Sequence, residues 1–150
     1  MRAPRPAGLT LIELIVVLAI AAVATAFVLP MVGRGTQTVR LRTEAGRVAA
    51  LLREARQHAV TQRRATRVTL DRARHAIAVT ASGADRPVRE FTLAPGIRLD
   101  VARGGETLTF SPRGTARETR WQLEGPGGRR LLITVEPVTG RVAVARETAS

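Results

Sequence analysis

Gly8-Leu9-Thr10-Leu11-Ile12-Glu13 opens an apolar run that continues to Val32, and the reading of this stretch decides the fold. Ahead of it stand only a few residues, with Arg2 and Arg5 set among prolines. From Leu14 to Gly33 no side chain is charged. A helix rising about 1.5 Å per residue over that length roughly matches the hydrocarbon thickness of a bilayer. A basic start, an apolar segment and then a polar remainder predict a membrane helix over residues 9–33, with the C-terminal part exported.

Glu13 is the odd residue in this run. A carboxylate on a membrane helix costs about 2.5–3.5 kcal/mol at the bilayer centre and less near the interface, so it needs a reason. One reason is local. Thr10 as N-cap and Glu13 three positions on fit the Thr-x-x-Glu capping box, which satisfies free N–H groups at a helix start. A second reading of the whole region is an ordinary secretory signal cut after Ala26, at Ala24-Thr25-Ala26. Against it, Glu13 would stand at the start of the apolar core of that signal. The apolar run also continues through Phe27, Val28 and Leu29.

Gly8-Leu9-Thr10-Leu11-Ile12-Glu13-Leu14 as a unit resembles the class III signal of type IV pilins and type II secretion pseudopilins. The resemblance implies removal of residues 1–8 by a prepilin peptidase, which cuts between Gly8 and Leu9, and N-methylation of Leu9. It also implies that Glu13 pairs with the terminal amine of a neighbouring subunit during filament assembly. Such a pairing would give the isolated charge the partner that an apolar medium demands. Pro30 fits the same resemblance, since pilin-like helices often carry a proline at this depth.

Beyond the leader and the apolar segment, the 150-residue chain holds enough sequence for one domain. Aromatics make up only 3% of it, so its core must come from Val, Leu, Ile and Ala. Cysteine is absent, which excludes disulfides, thiol nucleophiles and Cys-based metal sites. The formal charge is +12 and every basic residue is arginine. A GC-rich genome accounts for Arg in place of Lys but not for the excess over acids, and such an excess favours contact with polyanions.

After Pro30, Gly33 and Gly35 predict a bend or local melting of the helix. The helical pattern resumes as an amphipathic helix within residues 34–64. Leu41, Ala45, Val48, Leu52, Ala55 and Ala59 form one apolar stripe, while Arg40, Glu44, Arg47, Glu54 and Arg63 take other faces. From Thr66 the period changes to two. Strands are expected around Val68–Leu70, Ile77–Val79, Val88–Leu93, Ile97–Val101, Thr107–Phe110, Arg120–Leu123, Leu131–Val135 and Arg141–Ala145, separated by Gly- and Pro-containing turns. The expected fold class is α+β: one long N-terminal helix packed on an antiparallel sheet or sandwich formed by residues 65–150.

The C-terminal half carries Thr109-Phe110-Ser111-Pro112-Arg113-Gly114, Trp121-Gln122-Leu123, Leu131-Leu132-Ile133-Thr134-Val135 and Thr139-Gly140-Arg141-Val142. These runs resemble the H-type minor pseudopilin and FimT-like family, whose members often show a Phe-x-Pro-x-Gly turn followed by a strand ending in Gly-Arg. By itself Ser111-Pro112-Arg113-Gly114 is also a plain β-turn. Arg113 departs from the family, where acidic or amide residues are common before this glycine.

No catalytic constellation emerges from the sequence. His58 and His75 have neither a nearby Cys nor a ligand spacing, and Ser111 lacks a nucleophile elbow. Gly125-Pro126-Gly127-Gly128 is a loop without the Gly-Lys-Ser/Thr of a P-loop. No enzyme activity, cofactor, metal or small-molecule substrate is expected. The resemblance implies a minor pseudopilin of a type II secretion system, at or near the pseudopilus tip. Its partners would be the prepilin peptidase, other pseudopilins or pilins and bacterial inner-membrane lipid, with the C-terminal domain in the periplasm. The alternative is a FimT-like minor type IV pilin acting in pilus assembly or DNA uptake. For that role Arg129, Arg130, Arg141 and Arg146 would track phosphates, although aromatics for base stacking are nearly absent.

Overall fold

The computed structural model describes residues 10–146, with side chains for 10–25 and 37–146. One helix, α1 (Leu11–Thr61), is followed by eight strands. These are β1 (Thr66–Asp71), β2 (Ala76–Ala81), β3 (Arg89–Thr92), β4 (Arg98–Arg103), β5 (Thr107–Phe110), β6 (Thr119–Glu124), β7 (Arg130–Val135) and β8 (Val142–Arg146). The chain divides into two compact units, Met1–Thr36 and Gln37–Ser150.

In the first unit the described side chains from Leu11 to Thr25 are all exposed. They include Leu11 at 77%, Ile12 at 70% and Leu18 at 61%, with Ile15, Val16, Val17, Ile20 and Val23 around them. A helix that shows apolar side chains on every face has no stable place in water. Among the described residues no helix is long and apolar enough to cross a membrane. The side chains of 26–36, on which the distal part of the expected span falls, lie outside those described. Of the bend or local melting expected at Pro30, Gly33 and Gly35, melting does not occur, because α1 is continuous from Leu11 to Thr61. Proline deletes its own N–H bond and glycine weakens the turn by about 1 kcal/mol, losses that intact turns on both sides can absorb.

The second unit holds two antiparallel sheets of four strands, ordered β3-β2-β1-β5 and β4-β6-β7-β8. Alternation in the strand sequences decides which side chains point inward. Val68 and Leu70 of β1, Leu108 and Phe110 of β5, Trp121 and Leu123 of β6, and Leu131, Ile133 and Val135 of β7 are buried. They share one core with the expected stripe of α1, where Leu41, Ala45, Val48, Leu52, Ala55 and Ala59 are all buried. Small residues, Ala45, Ala55 and Ala59, recur along that stripe. The expected strands all form, with ends displaced by a residue or two.

Glu44 departs from its expected place. It is only 3% exposed, on the shoulder of the stripe, about 60° round the helix from Leu41 at 3.6 residues per turn. Arg47 Nη1 donates to its Oε1 at 3.0 Å, while Oε2 is buried and finds no partner among the described residues. Trp121 is the largest fully buried side chain. Its indole Nε1 donates to Gly105 O at 3.1 Å, beside the β4–β6 irregularity between Val101 and Arg103.

Candidate functional site

Two features of this molecule can carry a function: the start of α1 and the ends of the second unit. At the start of α1, Thr10 is the residue before the first helical position. Its Oγ1 accepts the Glu13 N–H at 3.3 Å, and its carbonyl accepts the Leu14 N–H at 3.2 Å. The local capping role is therefore realised on the threonine side. The Glu13 side chain is exposed among exposed apolar neighbours, a position from which it can reach another molecule. Gly8 and Leu9 lie outside the described residues.

At the far end of α1, the Phe-x-Pro-x-Gly turn and the Thr-Gly-Arg turn meet. Ser111 N–H donates to Thr115 O and Gly114 N–H to Ser111 O, each at 2.8 Å. Ser111 Oγ lies 2.7 Å from Thr115 Oγ1, so the serine hydroxyl is spent inside its turn. The β7–β8 turn is built the same way, with Gly140 N–H donating to Glu136 O at 2.9 Å and Thr139 Oγ1 to Glu136 Oε2 at 2.9 Å. Ala116 N–H then donates to Pro137 O at 2.9 Å, tying the two turns together.

Arg56 of α1 closes this junction by donating from Nε to Gly114 O at 3.1 Å. Gly114 and Gly140 are both buried and both have positive φ, +78° and +62°. A Cβ on Gly140 would overlap Gly114 O and come within 2.9 Å of Arg56 Nε. The two glycines are thus required by close approach of backbone to backbone as well as by φ. Sequence reading found both turns but missed Arg56. The available signal was an arginine on the flank of the apolar stripe, four positions before Val60, whose Cγ2 would meet a Cβ placed on Gly114.

The four arginines expected to track phosphates do not all stand together. Arg130 stands opposite Glu124 in the β6–β7 ladder, with its Nε 3.4 Å from Glu124 Oε2. Arg146 pairs with Leu131 at the same end, and Arg129 is exposed in the turn just before β7. Arg141 precedes β8 at the opposite end, where Val135 pairs with Val142. Five residues of strand at about 3.3 Å each separate it from Arg146 by roughly 16 Å. Period-two alternation says nothing of which strand ends coincide, so this split was not legible in the sequence.

His58 is half-buried, with Nδ1 3.4 Å from Thr66 Oγ1, and His75 is exposed in the β1–β2 turn at φ +50°. No group of acidic or histidine side chains that could hold a metal occurs among the described residues.

Comparison with known proteins places these features. The family described as type II transport protein GspH matches residues 44–139, and the prokaryotic N-terminal methylation motif matches residues 4–29. No curated protein matches the chain. Among solved structures, the type IV minor pilin FimU of Pseudomonas aeruginosa superposes with a TM-score of 0.60 at 23% identity, over 75% of this chain and 92% of that one. The minor pseudopilin EpsH from the type II secretion system of Vibrio cholerae superposes with a TM-score of 0.60 at 15% identity, over 74% of this chain and 96% of that one. These likenesses establish the pilin-like α+β fold: a helix on two antiparallel sheets. The matched family region begins at the buried Glu44, contains the Arg56 junction and ends at Thr139, beside Gly140. The chain belongs to the family of type II transport protein GspH, the H-type minor pseudopilins that its two motifs resemble.

Proposed function

We propose that this protein is a structural subunit, a minor pseudopilin of a type II protein secretion system, assembled at or near the tip of a pseudopilus. The observation that carries the reading is the exposed apolar helix from Leu11 to Val23, joined in one chain to a GspH-family domain. Such a surface is stable in lipid, and equally against similar helices in a filament core. Glu13 has a role only in the second setting, where the amine of a neighbouring Leu9 neutralises it. The methylation motif supports processing by a prepilin peptidase between Gly8 and Leu9. The protein would first sit in the inner membrane through residues 9–33, with its second unit in the periplasm, and leave the bilayer on assembly. The likeness to FimU suits a minor type IV pilin as well, but the family match favours type II secretion.

Two experiments test the reading. Glu13→Ala should leave membrane insertion intact and reduce incorporation into the filament to background, read by crosslinking to a neighbouring pseudopilin. Normal crosslinking of that variant would remove the assembly role. The mature chain, isolated from cells with its prepilin peptidase, should begin at a methylated Leu9 by mass spectrometry. A chain beginning at Phe27 would instead make the segment an ordinary secretory signal.

A further inference from the structure

One end of the second unit gathers more positive charge than its acids balance. The β6–β7 turn lies there beside the first residues of that unit. A Cβ on Gly125 would sit 3.2 Å from Leu41 Cδ1, and one on Gly127 would sit 4.0 Å from Gln37 Oε1. Arg98, paired with Glu124 in the β4–β6 register, Arg130 and Arg146 mark the same end of their strands. With Arg40 and Arg42 of α1 and Arg129 of the turn, they are exposed. The carboxylates nearby are already engaged, Glu124 by Arg130 at 3.4 Å and buried Glu44 by Arg47 at 3.0 Å. Between Arg42 and Arg146 lies an open hollow of about 350 Å³, floored by Gly46, Leu131, Val144 and Ala145.

We propose that this end binds anionic phospholipid headgroups of the leaflet from which the chain emerges. The inference rests on the reading of residues 9–33 as membrane-embedded. Gln37 is the fifth residue after Val32, so at most about 18 Å of extended chain separates the two. A tether this short bounds how far the first residues of the unit can stand from the headgroups. The guanidinium fork matches phosphate oxygens in a two-point contact. The hollow adds what a lipid has and a sugar–phosphate chain lacks: an apolar floor between two cations, suited to the glycerol ester region. Among the described residues no aromatic side chain is exposed at this end for base stacking, since Trp121 and Phe110 are core residues and Phe91 is half-buried in β3. Each arginine held near an anionic surface strengthens attachment by about fivefold.

The native chain contains no cysteine, so a single engineered one can carry a fluorophore. Pro126→Cys labels the β6–β7 turn, and Val138→Cys labels an exposed position in the β7–β8 turn at the opposite end. The full chain is placed in vesicles of phosphatidylcholine alone, or with phosphatidylglycerol added, that also carry a headgroup-tethered quencher. Quenching at position 126 should rise about twofold or more with the anionic lipid and be lost near 1 M salt, where screening falls to about 3 Å. It should also be lost on replacing Arg42, Arg129 and Arg146 by serine, with position 138 unaffected throughout. Equal quenching in both vesicles overturns the proposal. So does release of the quenching by short duplex DNA at low concentration, which would assign the surface to nucleic acid. Flotation with neutral vesicles is read first: a chain that fails to float overturns the membrane reading and this proposal with it. A chain that floats but ignores lipid charge overturns the proposal alone.

Discussion

Gly140→Ala should destabilise the second unit by about 3 kcal/mol or more, among the larger effects of a single substitution. Two independent costs combine. Alanine at φ +62° takes a left-handed conformation that costs an L-residue about 1–2 kcal/mol. The new Cβ would also overlap Gly114 O, which already accepts from Arg56 at 3.1 Å. A carbonyl in a tied turn cannot move aside as a side-chain tip would. Either the Arg56 contact or the Ala116–Pro137 tie between the turns must break. Guanidinium unfolding would read this as a lower midpoint with an unchanged slope. Gly127→Ala is the control, with a similar φ of +80° but only Gln37 Oε1 within reach, at 4.0 Å. It should lose the conformational part alone. Equal losses at the two positions would mean that the close approach at Gly140 costs nothing.

Trp121→Ala should cost a further class of stability, about 3–5 kcal/mol, through the cavity it leaves. In a chain with 3% aromatics this indole is the largest single volume in the core, and it is fully buried between α1 and the strands. Leu, Val and Ala neighbours already in place are too short to fill the void. Trp121→Phe separates volume from hydrogen bonding. It keeps most of the ring and leaves Gly105 O without the indole donor, for a loss of about 1–3 kcal/mol. Thermal unfolding of both variants decides between the two contributions. If Phe costs as much as Ala, the hydrogen bond over the β4–β6 irregularity matters more than the packing.

Both positions lie in motifs that the sequence made visible without saying why they matter. Ser111-Pro112-Arg113-Gly114 and Thr139-Gly140 are readable as turns because Pro and Gly restrict or release φ locally. That they touch, and that Arg56 bonds the carbonyl between them, depends on contacts across 58 positions of chain. The stripe from Leu41 to Ala59 was legible for the opposite reason. Helical periodicity is local, and its apolar face had to find a partner. Glu44 shows where that reasoning stops. A helical wheel assigns angles, but the width of the buried sector depends on how far the sheets wrap around the helix.

The sequence by itself determined the two halves of the molecule and their chemistry. An apolar helix from Leu11 with Thr10 at its cap, a period-3.6 stripe, and period-two strands with glycine turns all follow from nearest-neighbour rules of the backbone. The roles expected of Gly8, Leu9 and Glu13 in processing and assembly came instead from the resemblance of the whole segment to the class III signal. Only the tertiary structure decided the pairing of eight strands into two sheets, the burial of Glu44 and the junction at Arg56. It also divided the arginines, drawing Arg129 and Arg146 toward Gln37 and sending Arg141 to the far end. The physical reason is that strand order and sheet curvature are set by the shared core, through contacts whose sequence separation no local pattern encodes.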